Sequence, residues 1–458
     1  MQDLTETLKK SLNLANACLF NPGLVNLSDR QGTFIMSIRA YWSKFRNKPC
    51  IRSKDAGGPW SEEWWSGTNG YVLAVLRRPL SGGSIVVLSH KVIRKTNMED
   101  VRLFRDDRGK IRMMFNRGFG DHETGHTKVQ VAELRISGPS FELSIGPEQS
   151  LIFLGQQRLE KNWVPWEGTS LMTYTNYPFF APHTVMDWVD YDKPRVQLKP
   201  VANSPAPFFE KVFRDRGGWI RFSGGTPAVR LDKERFVAVG HAVGDLSCFH
   251  KKIPEQPIKR KLNQHLSKEL GMKTVLRRGR SAIEYNKHSD GLAENINMVE
   301  HSCNSSTPAP GNGREWWDHL KYSHDIPQHH QFWEYFFFLY AWSVEPPYQI
   351  THISHAFIPF DAEDHSGVVF PTGLQLLRHN KPEEYGPSLG ISYGKSDHSV
   401  MMMTLSAATV KEYLQPTHGA NNNPLHYKFC ALDSTVPIMS HSEGAFQSSG
   451  LSGSSLVT

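Results

Sequence analysis

Short apolar runs alternate with polar turns along most of this chain. The runs have strand length and β-branched or aromatic content, not the 3.6-residue period of a surface helix. The stretch from Met98 to Phe104 is the clearest case, with Glu99, Asp100 and Arg102 set among apolar residues. A polar turn from Arg105 to Lys110 follows, with Gly109 near its end. Ile111 to Asn116 then has strand composition again. Strand, tight turn and strand predict a β-hairpin whose ionisable residues lie at the start of its first strand.

The same layout recurs four more times. Asn21–Leu27 and Thr33–Ala40 flank a turn containing Asp29 and Gly32. Glu160–Trp166 and Ser170–Asn176 flank a Glu-Gly-Thr turn. Ser223–Arg230 and Arg235–His241 flank Leu-Asp-Lys-Glu, and Gly367–Leu374 pairs with Leu389–Asp397 across a longer polar loop. The first four units begin at 21, 98, 160 and 223, spaced widely enough for four strands each. Four-stranded units at regular spacing are the mark of a propeller, here with extended loops. The expected fold is therefore all-β: a five-bladed β-propeller over 21–415, with an N-terminal extension over 1–20 and a polar C-terminal tail over 416–458. Gln2 to Ala17 is expected as a short helix or a strand that joins the last blade.

The fifth unit comes late because about 251–331 intervenes. This insert carries Lys259-Arg260-Lys261 and Arg277-Arg278-Gly279-Arg280, then a Ser/Pro/Gly-rich run. Its composition predicts an exposed, partly disordered loop in the fourth blade. The strands that complete that blade are expected at Tyr335–Ser343 and Gln349–Phe357.

Composition adds limits. The chain has 458 residues, 39% of them hydrophobic, so a sizeable core can be buried. A net charge of +7, much of it from the insert, suits anionic ligands such as phosphates and nucleotides. Five cysteines stand far apart with no CxxC, which favours reduced thiols and a cytoplasmic setting. No apolar run reaches membrane-spanning length, and no signal peptide is evident at the N-terminus. Two His clusters, around His122 and around His329, lack the spacing of a zinc site, so no metal is expected. There is no P-loop and no dinucleotide fingerprint. The basic insert has no nucleic-acid-binding module beside it, so no nucleic-acid partner is expected.

The hairpin starts carry the candidate chemistry. Asp100 beside Glu99 is pushed to keep its proton, while Arg102 and Arg105 act the other way. Such tuning suits a general acid, and equally an ordinary ion pair at a strand start, which is the commoner case. Arg39 ends an apolar strand, and Lys161 with Asn162 precedes Trp163; each fits a surface role or an anion and sugar hydroxyls. Gly224-Gly225-Thr226-Pro227 is a tight turn, and His241 and Asp397 end second strands. What joins them is register: each sits at the start of a first strand or the end of a second, positions that converge on one depression in a propeller.

These motifs together resemble a known family. Glu99-Asp100-Val101-Arg102, Glu160-Lys161-Asn162-Trp163, Gly224-Gly225-Thr226-Pro227 with Val239-Gly240-His241, and Phe370-Pro371-Thr372-Gly373 with Tyr393-Gly394-Lys395-Ser396-Asp397 resemble the motifs of glycoside hydrolase family 130. They are similar also to the related mannosyltransferase/phosphorylases of glycosyltransferase family 108. The resemblance spans roughly residues 20–410 outside the insert. It implies a carbohydrate-active enzyme acting on β-mannosides by inverting glycosyl transfer, as a mannoside phosphorylase or a β-mannosyltransferase. Asp100 matches the family's catalytic acid, which delivers its proton through a hydroxyl of the bound mannose while phosphate attacks the anomeric carbon. Asn21 and Arg39 match positions near the mannose, Lys161 a phosphate-side lysine, and Asp397 an acidic residue that holds sugar hydroxyls. Arg102, Asn162, Thr226, His241 and Tyr393 complete the implied substrate-binding set.

The implied partners are a manno-oligosaccharide or other mannose-containing glycan. Inorganic phosphate, a sugar phosphate or a nucleotide sugar is the implied co-substrate, with no resident cofactor. Val101 stands where the family has proline, and Asn162-Trp163 replaces a more acidic sequence, so the branch is divergent. The alternatives are a β-mannoside hydrolase, or a non-catalytic propeller that binds glycans or proteins.

Overall fold

The computed structural model describes residues 2–28, 32–42, 68–78, 85–94, 96, 98–117, 128–153, 161–175, 182–189, 193–209, 220–245, 333–354, 369–377, 386–395 and 398–417. The basic insert, Glu160, Asp397 and the tail beyond 417 lie outside the described residues. Within them the chain is mostly β. A two-residue strand β1 (Gln2–Asp3) and a short helix α1 (Thr5–Ser11) precede a four-stranded antiparallel sheet. That sheet holds β2 (Cys18–Ser28), β3 (Thr33–Trp42), β4 (Thr68–Arg77) and β5 (Val86–Arg94) in sequence order.

Next comes a nine-stranded sheet of β6 (Met98–Arg105), β7 (Ile111–Arg117), β8 (Lys128–Ser137), β9 (Glu142–Ile145), β10 (Gln149–Ile152), β11 (Val164–Pro165), β12 (Leu171–Tyr174), β13 (His183–Trp188) and β14 (Arg195–Ser204). The second and third units are thus fused, through parallel pairing of β10 with β14. A six-stranded sheet follows, made of β15 (Ile220–Gly224), β16 (Val229–Arg230), β17 (Arg235–Asp245), β18 (Trp333–Ser343), β19 (Ile350–Ile353) and a late strand. Three strands, β20 (Val369–Leu377), β21 (Ser388–Lys395) and β22 (Ser399–Ser406), take β1 as their fourth. After α2 (Ala407–Tyr413), β23 (Gln415–Pro416) is the late strand that pairs with β19.

Four sheets therefore carry the five expected units. Two differences from the expected strands have local causes. The first strand of the fourth unit is split into β15 and β16, because Pro227 has no N–H for a ladder. Pro165 likewise limits β11 to two residues. The expectation of reduced thiols fails at Cys18, which is disulfide-bonded. Spacing alone does not show which cysteines meet in space, and a disulfide removes this support for a reducing compartment.

Packing explains how the units stay together. Alternate side chains of each strand face the neighbouring unit. Val25, Ile35 and Tyr71 of the first unit pack with Val101, Leu103 and Met113 of the second. Phe104 and Met114 meet Trp163, Met172 and Trp188. Val164 and Trp166 meet Phe222, Tyr340 and Trp342. Val237 and Leu339 meet Leu374, Ile391 and Tyr393. The last cluster returns to the start: Val400 and Met402 pack with Leu4, Leu8, Met36, Ile38 and Val72. Each buried side chain of this size contributes about 1.5–3 kcal/mol relative to exposure, so the five clusters are the main source of stability.

Polar ties reinforce the seam. The carbonyl of Pro22 accepts from Thr372 Oγ1 at 2.8 Å and also from Ser392 Oγ. Among the described residues, no helix is long and apolar enough to cross a membrane.

Candidate active site

Three first strands break register at the same level. Pairing of β2 with β3 shifts between Phe20 and Gly23, β6 with β7 between Glu99 and Arg102, and β20 with β21 between Pro371 and Gly373. The residues released from the ladder include Asn21 and Asp100. Both have left-handed backbone, with φ of 45° and 52°. Asn162, at the corresponding point of the third unit, has φ of 64°. Asn and Asp reach this conformation at lower cost than other side chains that carry a Cβ. A bulge at the strand start thus turns a polar side chain out of the pleat and toward its neighbours.

These side chains meet. Asn21 Nδ2 donates to Asp100 Oδ1 at 2.9 Å. Arg39 Nη1 reaches the same oxygen at 3.4 Å, and Arg39 Nη2 lies 2.9 Å from Glu99 Oε1. Asp100 Oδ2 receives no hydrogen bond among the described residues. The carboxylate is therefore held by one oxygen. The close approach of the first and fifth units here requires Gly394, where any side chain would run into the Asn21 amide.

Arg102 anchors the floor. It is 1% exposed and makes three kinds of contact. Nη1 donates to the Asp100 carbonyl at 2.9 Å, Nη2 to Asn162 Oδ1 at 3.0 Å, and Nε to the Gly225 carbonyl. The guanidinium also stands 5.8 Å from the Phe370 ring centre. Asn162 is fixed in turn, its carbonyl accepting from Thr175 Oγ1 at 2.7 Å. One buried cation thus ties the second, third and fourth units, and its rigid fork suits that task better than a lysine would.

Charge follows from this geometry. Burial pushes the Asp100 carboxyl up, but Arg39, Arg102, Lys161 and the Asn21 hydrogen bond outweigh it and hold the group below the usual carboxylate range. Burial lowers Arg102 to about 10, so it stays charged at neutral pH, supported by Asp100. Burial raises the Tyr71 phenol, which stays neutral beside this cluster.

Of the expected residues, Asn21, Arg39, Asp100, Arg102 and Asn162 come together. Lys161 is exposed next to Asn162 and makes no hydrogen bond or ion pair among the described residues, yet its charge is felt at Asp100. His241 is 4% exposed and packs on Phe370, ring centres 4.7 Å apart, so it flanks the site through that ring. Two expectations are corrected. Thr226 has no exposed surface, and its hydroxyl accepts from the Val239 backbone N–H at 3.0 Å, so it latches the link between β15 and β16 onto β17. Tyr393 is 1% exposed and packs edge-on against Phe337 in the core. Strand parity explains Tyr393, because neighbouring positions on a strand face opposite sides, whereas Thr226 lies in the link between β15 and β16, outside both strands.

Two residues of this site fell outside the expected motifs. Tyr71 Oη accepts from the Val101 N–H at 3.4 Å. Asn69 Oδ1 accepts from Arg39 Nε at 3.0 Å. Both lie on β4, a third strand outside the hairpins. The available signal was a polar residue opening an otherwise apolar strand. No group of three or more metal-ligating side chains occurs among the described residues.

Neither the family models nor the curated proteins searched contain a match to this chain. Three solved structures are similar over most of their length. A member of glycoside hydrolase family 130, described within a family of mannoside phosphorylases containing hydrolases that target β-1,2 mannosidic linkages in Candida mannan, is 13% identical. It covers 84% of each chain with a TM-score of 0.36. A hypothetical protein from Leishmania major is 8% identical, covering 88% of this chain and 90% of its own, with a TM-score of 0.37. A GDP-Man-dependent mannosyltransferase from Leishmania mexicana is 10% identical, covering 86% of this chain and 87% of its own, with a TM-score of 0.33.

Proposed function

We propose that this chain is a carbohydrate-active enzyme of mannose chemistry, transferring a mannosyl group with inversion, and that Asp100 carries the proton. The observation that supports this most is the state of Asp100. It is buried, its Oδ1 is held by Asn21 and Arg39, and its Oδ2 takes no hydrogen bond among the described residues. The five-bladed propeller belongs to the same proposal. It is supported by five core clusters that join successive units and return to the first.

An ionised Asp100 suits the synthetic direction. An acceptor hydroxyl attacks the anomeric carbon, and its proton passes to Asp100. The bond from the anomeric carbon to the phosphate or nucleotide oxygen breaks, and that group leaves with the electron pair. In the reverse direction, a bound phosphate would raise the carboxyl by like-charge repulsion and so let it arrive protonated. Arg39, Arg102 and Lys161 outnumber the carboxylates Glu99 and Asp100, which supports an anionic co-substrate over water. Phosphorylase or nucleotide-sugar transferase is thus favoured within this proposal, and hydrolysis is the lesser reading.

The test is an assay of mannose-1-phosphate and GDP-mannose against manno-oligosaccharide acceptors, reading released phosphate or GDP. Asp100→Asn keeps the left-handed backbone and the shape, and should lower turnover by about 10²–10⁴-fold. Near-normal turnover in that variant would sink the assignment. The second reading, a non-catalytic glycan-binding protein, is favoured by the low Asp100 pKa, since a permanent carboxylate is a good acceptor for sugar hydroxyls. Glycan binding without turnover of any donor would support that reading instead.

A further inference from the structure

Asn69 stands behind the charged cluster, where two chain segments have to be fixed at once. Its Oδ1 accepts from Arg39 Nε at 3.0 Å. Its Nδ2 donates to the carbonyls of Thr96 and Met98, each at 2.9 Å. The Asn69 carbonyl accepts from the Thr96 N–H at 3.1 Å. One amide therefore holds the Arg39 guanidinium by its inner nitrogen and also the segment that leads into Glu99 and Asp100.

The geometry of Arg39 shows what this does. A guanidinium is planar, so fixing Nε also fixes the directions of Nη1 and Nη2. Those two atoms face Asp100 Oδ1 and Glu99 Oε1. Asn69 thus sets the guanidinium from its inner edge, while the Phe20 ring lies 5.3 Å from Arg39 Cζ. The pairing of β3 with β4 sets Arg39 opposite Tyr71 and Tyr41 opposite Asn69, so the amide reaches Arg39 diagonally.

We propose that Asn69 is a positioning residue of the site, aligning the Arg39 guanidinium with Asp100 and tying it to the strand start that presents Asp100. It touches neither reacting atom. This rests on the reading of Asp100 as the proton-carrying group. Asp100 is faced by Arg39 from β3, Tyr71 from β4, Glu99 and Arg102 from β6, Asn21 from β2 and Lys161 from the third unit. Of these, Asn69 touches Arg39 alone.

The alternative is that Asn69 serves the fold alone, stapling β4 to the segment before β6. A readout is needed that such a staple would not move. The ionisation of Asp100 is one, followed by the carboxyl ¹³C signal of labelled aspartate and assigned by its loss in Asp100→Asn. Asn69→Leu removes all three side-chain hydrogen bonds at similar size. Asn69→Asp keeps an acceptor for Arg39 Nε and loses both donors.

In Asn69→Leu the Asp100 transition should move up by about one unit, toward the ordinary carboxylate range. In Asn69→Asp the retained acceptor keeps the guanidinium oriented but the added negative charge acts to raise the transition, so it too should lie above that of the native protein. In turnover assays, Asn69→Leu should lower kcat more than it raises KM and shift the acidic limb of the pH profile upward. Circular dichroism checks folding. Where Asn69→Leu does not fold, Asn69→Ser gives the same readout, because its side chain is too short to span both partners. An unshifted Asp100 transition in a folded variant overturns the proposal. Retained turnover in Asp100→Asn would overturn the functional reading alone and leave the effect of Asn69 on Asp100 standing.

Discussion

Arg39 and Asp100 lie 61 positions apart in sequence, yet Arg39 Nη1 stands 3.4 Å from Asp100 Oδ1. Apart from burial, Arg39 is the largest influence on that carboxyl, and it acts to keep it ionised. Arg39→Gln should move the Asp100 transition up by about one unit or more. The sign for stability follows. A carboxyl held low in the fold stabilises the native state above its unfolded pKa, and this is lost as pH falls through the folded value. Arg39→Gln should therefore flatten the acid side of a plot of Tm against pH, and an unchanged acid side would refute the coupling.

Asp106 and Arg112 form the most buried ion pair described, with Nε 2.7 Å from Oδ2. Their side chains are 0% and 4% exposed. Asp106 Oδ1 also accepts from the Arg108 and Lys110 N–H groups at 3.0 and 2.9 Å, closing the turn between β6 and β7. Asp106→Ala leaves a buried cation and two open turn donors. It should destabilise the chain by about 3–5 kcal/mol in denaturant unfolding. A loss below about 1 kcal/mol, the range of an exposed pair, would contradict this account.

His183 gives a pH signature of its own. Burial lowers it to about 4, and its Nδ1 lies 2.9 Å from the Tyr348 carbonyl. Nε2 lies 3.0 Å from Thr173 Oγ1, which also accepts from Trp166 Nε1. The unfolded chain binds this proton first, so stability is full above about pH 6.5 and falls as pH drops toward 4. The loss is about 3 kcal/mol at most. His183→Gln should remove this slope at some cost near neutral pH. A slope unchanged in that variant would assign the acid sensitivity elsewhere.

Glu167 works in the opposite direction. Burial raises it to about 7, against the Arg105 N–H that donates to Oε2 at 2.8 Å. A carboxyl raised in the fold contributes stability below its unfolded pKa, and that contribution is lost as pH rises through about 7. Glu167→Gln should raise Tm above pH 7 and leave it nearly unchanged at pH 4. Thermal unfolding at the two pH values checks this, and a fall in Tm above pH 7 would show that the ionised form is the stabilising one.

Much of this was legible in the hairpins. The Met98–Phe104 and Ile111–Asn116 runs became β6 and β7 almost residue for residue, because an apolar alternation bounded by a Gly turn leaves few other options. The meeting of Asn21, Asp100 and Asn162 followed from their shared place at strand starts. The bulges that turn these side chains were not legible, because a register shift depends on the partner strand. Thr226 and Tyr393 belong to the right motifs but face the packing, Thr226 in the link where Pro227 interrupts the strand and Tyr393 by strand parity. Asn69 and Tyr71 carry no signal in the hairpins, because they lie on β4, a third strand whose sequence reads as plain core. The fusion of two units through β10 and β14 had no local signal, since parallel pairing joins segments without a turn between them.

The pairing of Gln2–Asp3 with Met401–Met402 has a consequence for the newborn chain. Ribosomes add about 5–20 residues per second, so roughly 20–80 s separate the first of these strands from its mate. Over that interval Leu4 and Leu8 are already made, while Val400 and Met402, which bury them, are not. The first sheet waits with an apolar flank uncovered, and chaperone binding during translation should concentrate there. A truncation that stops before Ser399 should prolong that exposure and aggregate, although it retains every residue seen around Asp100.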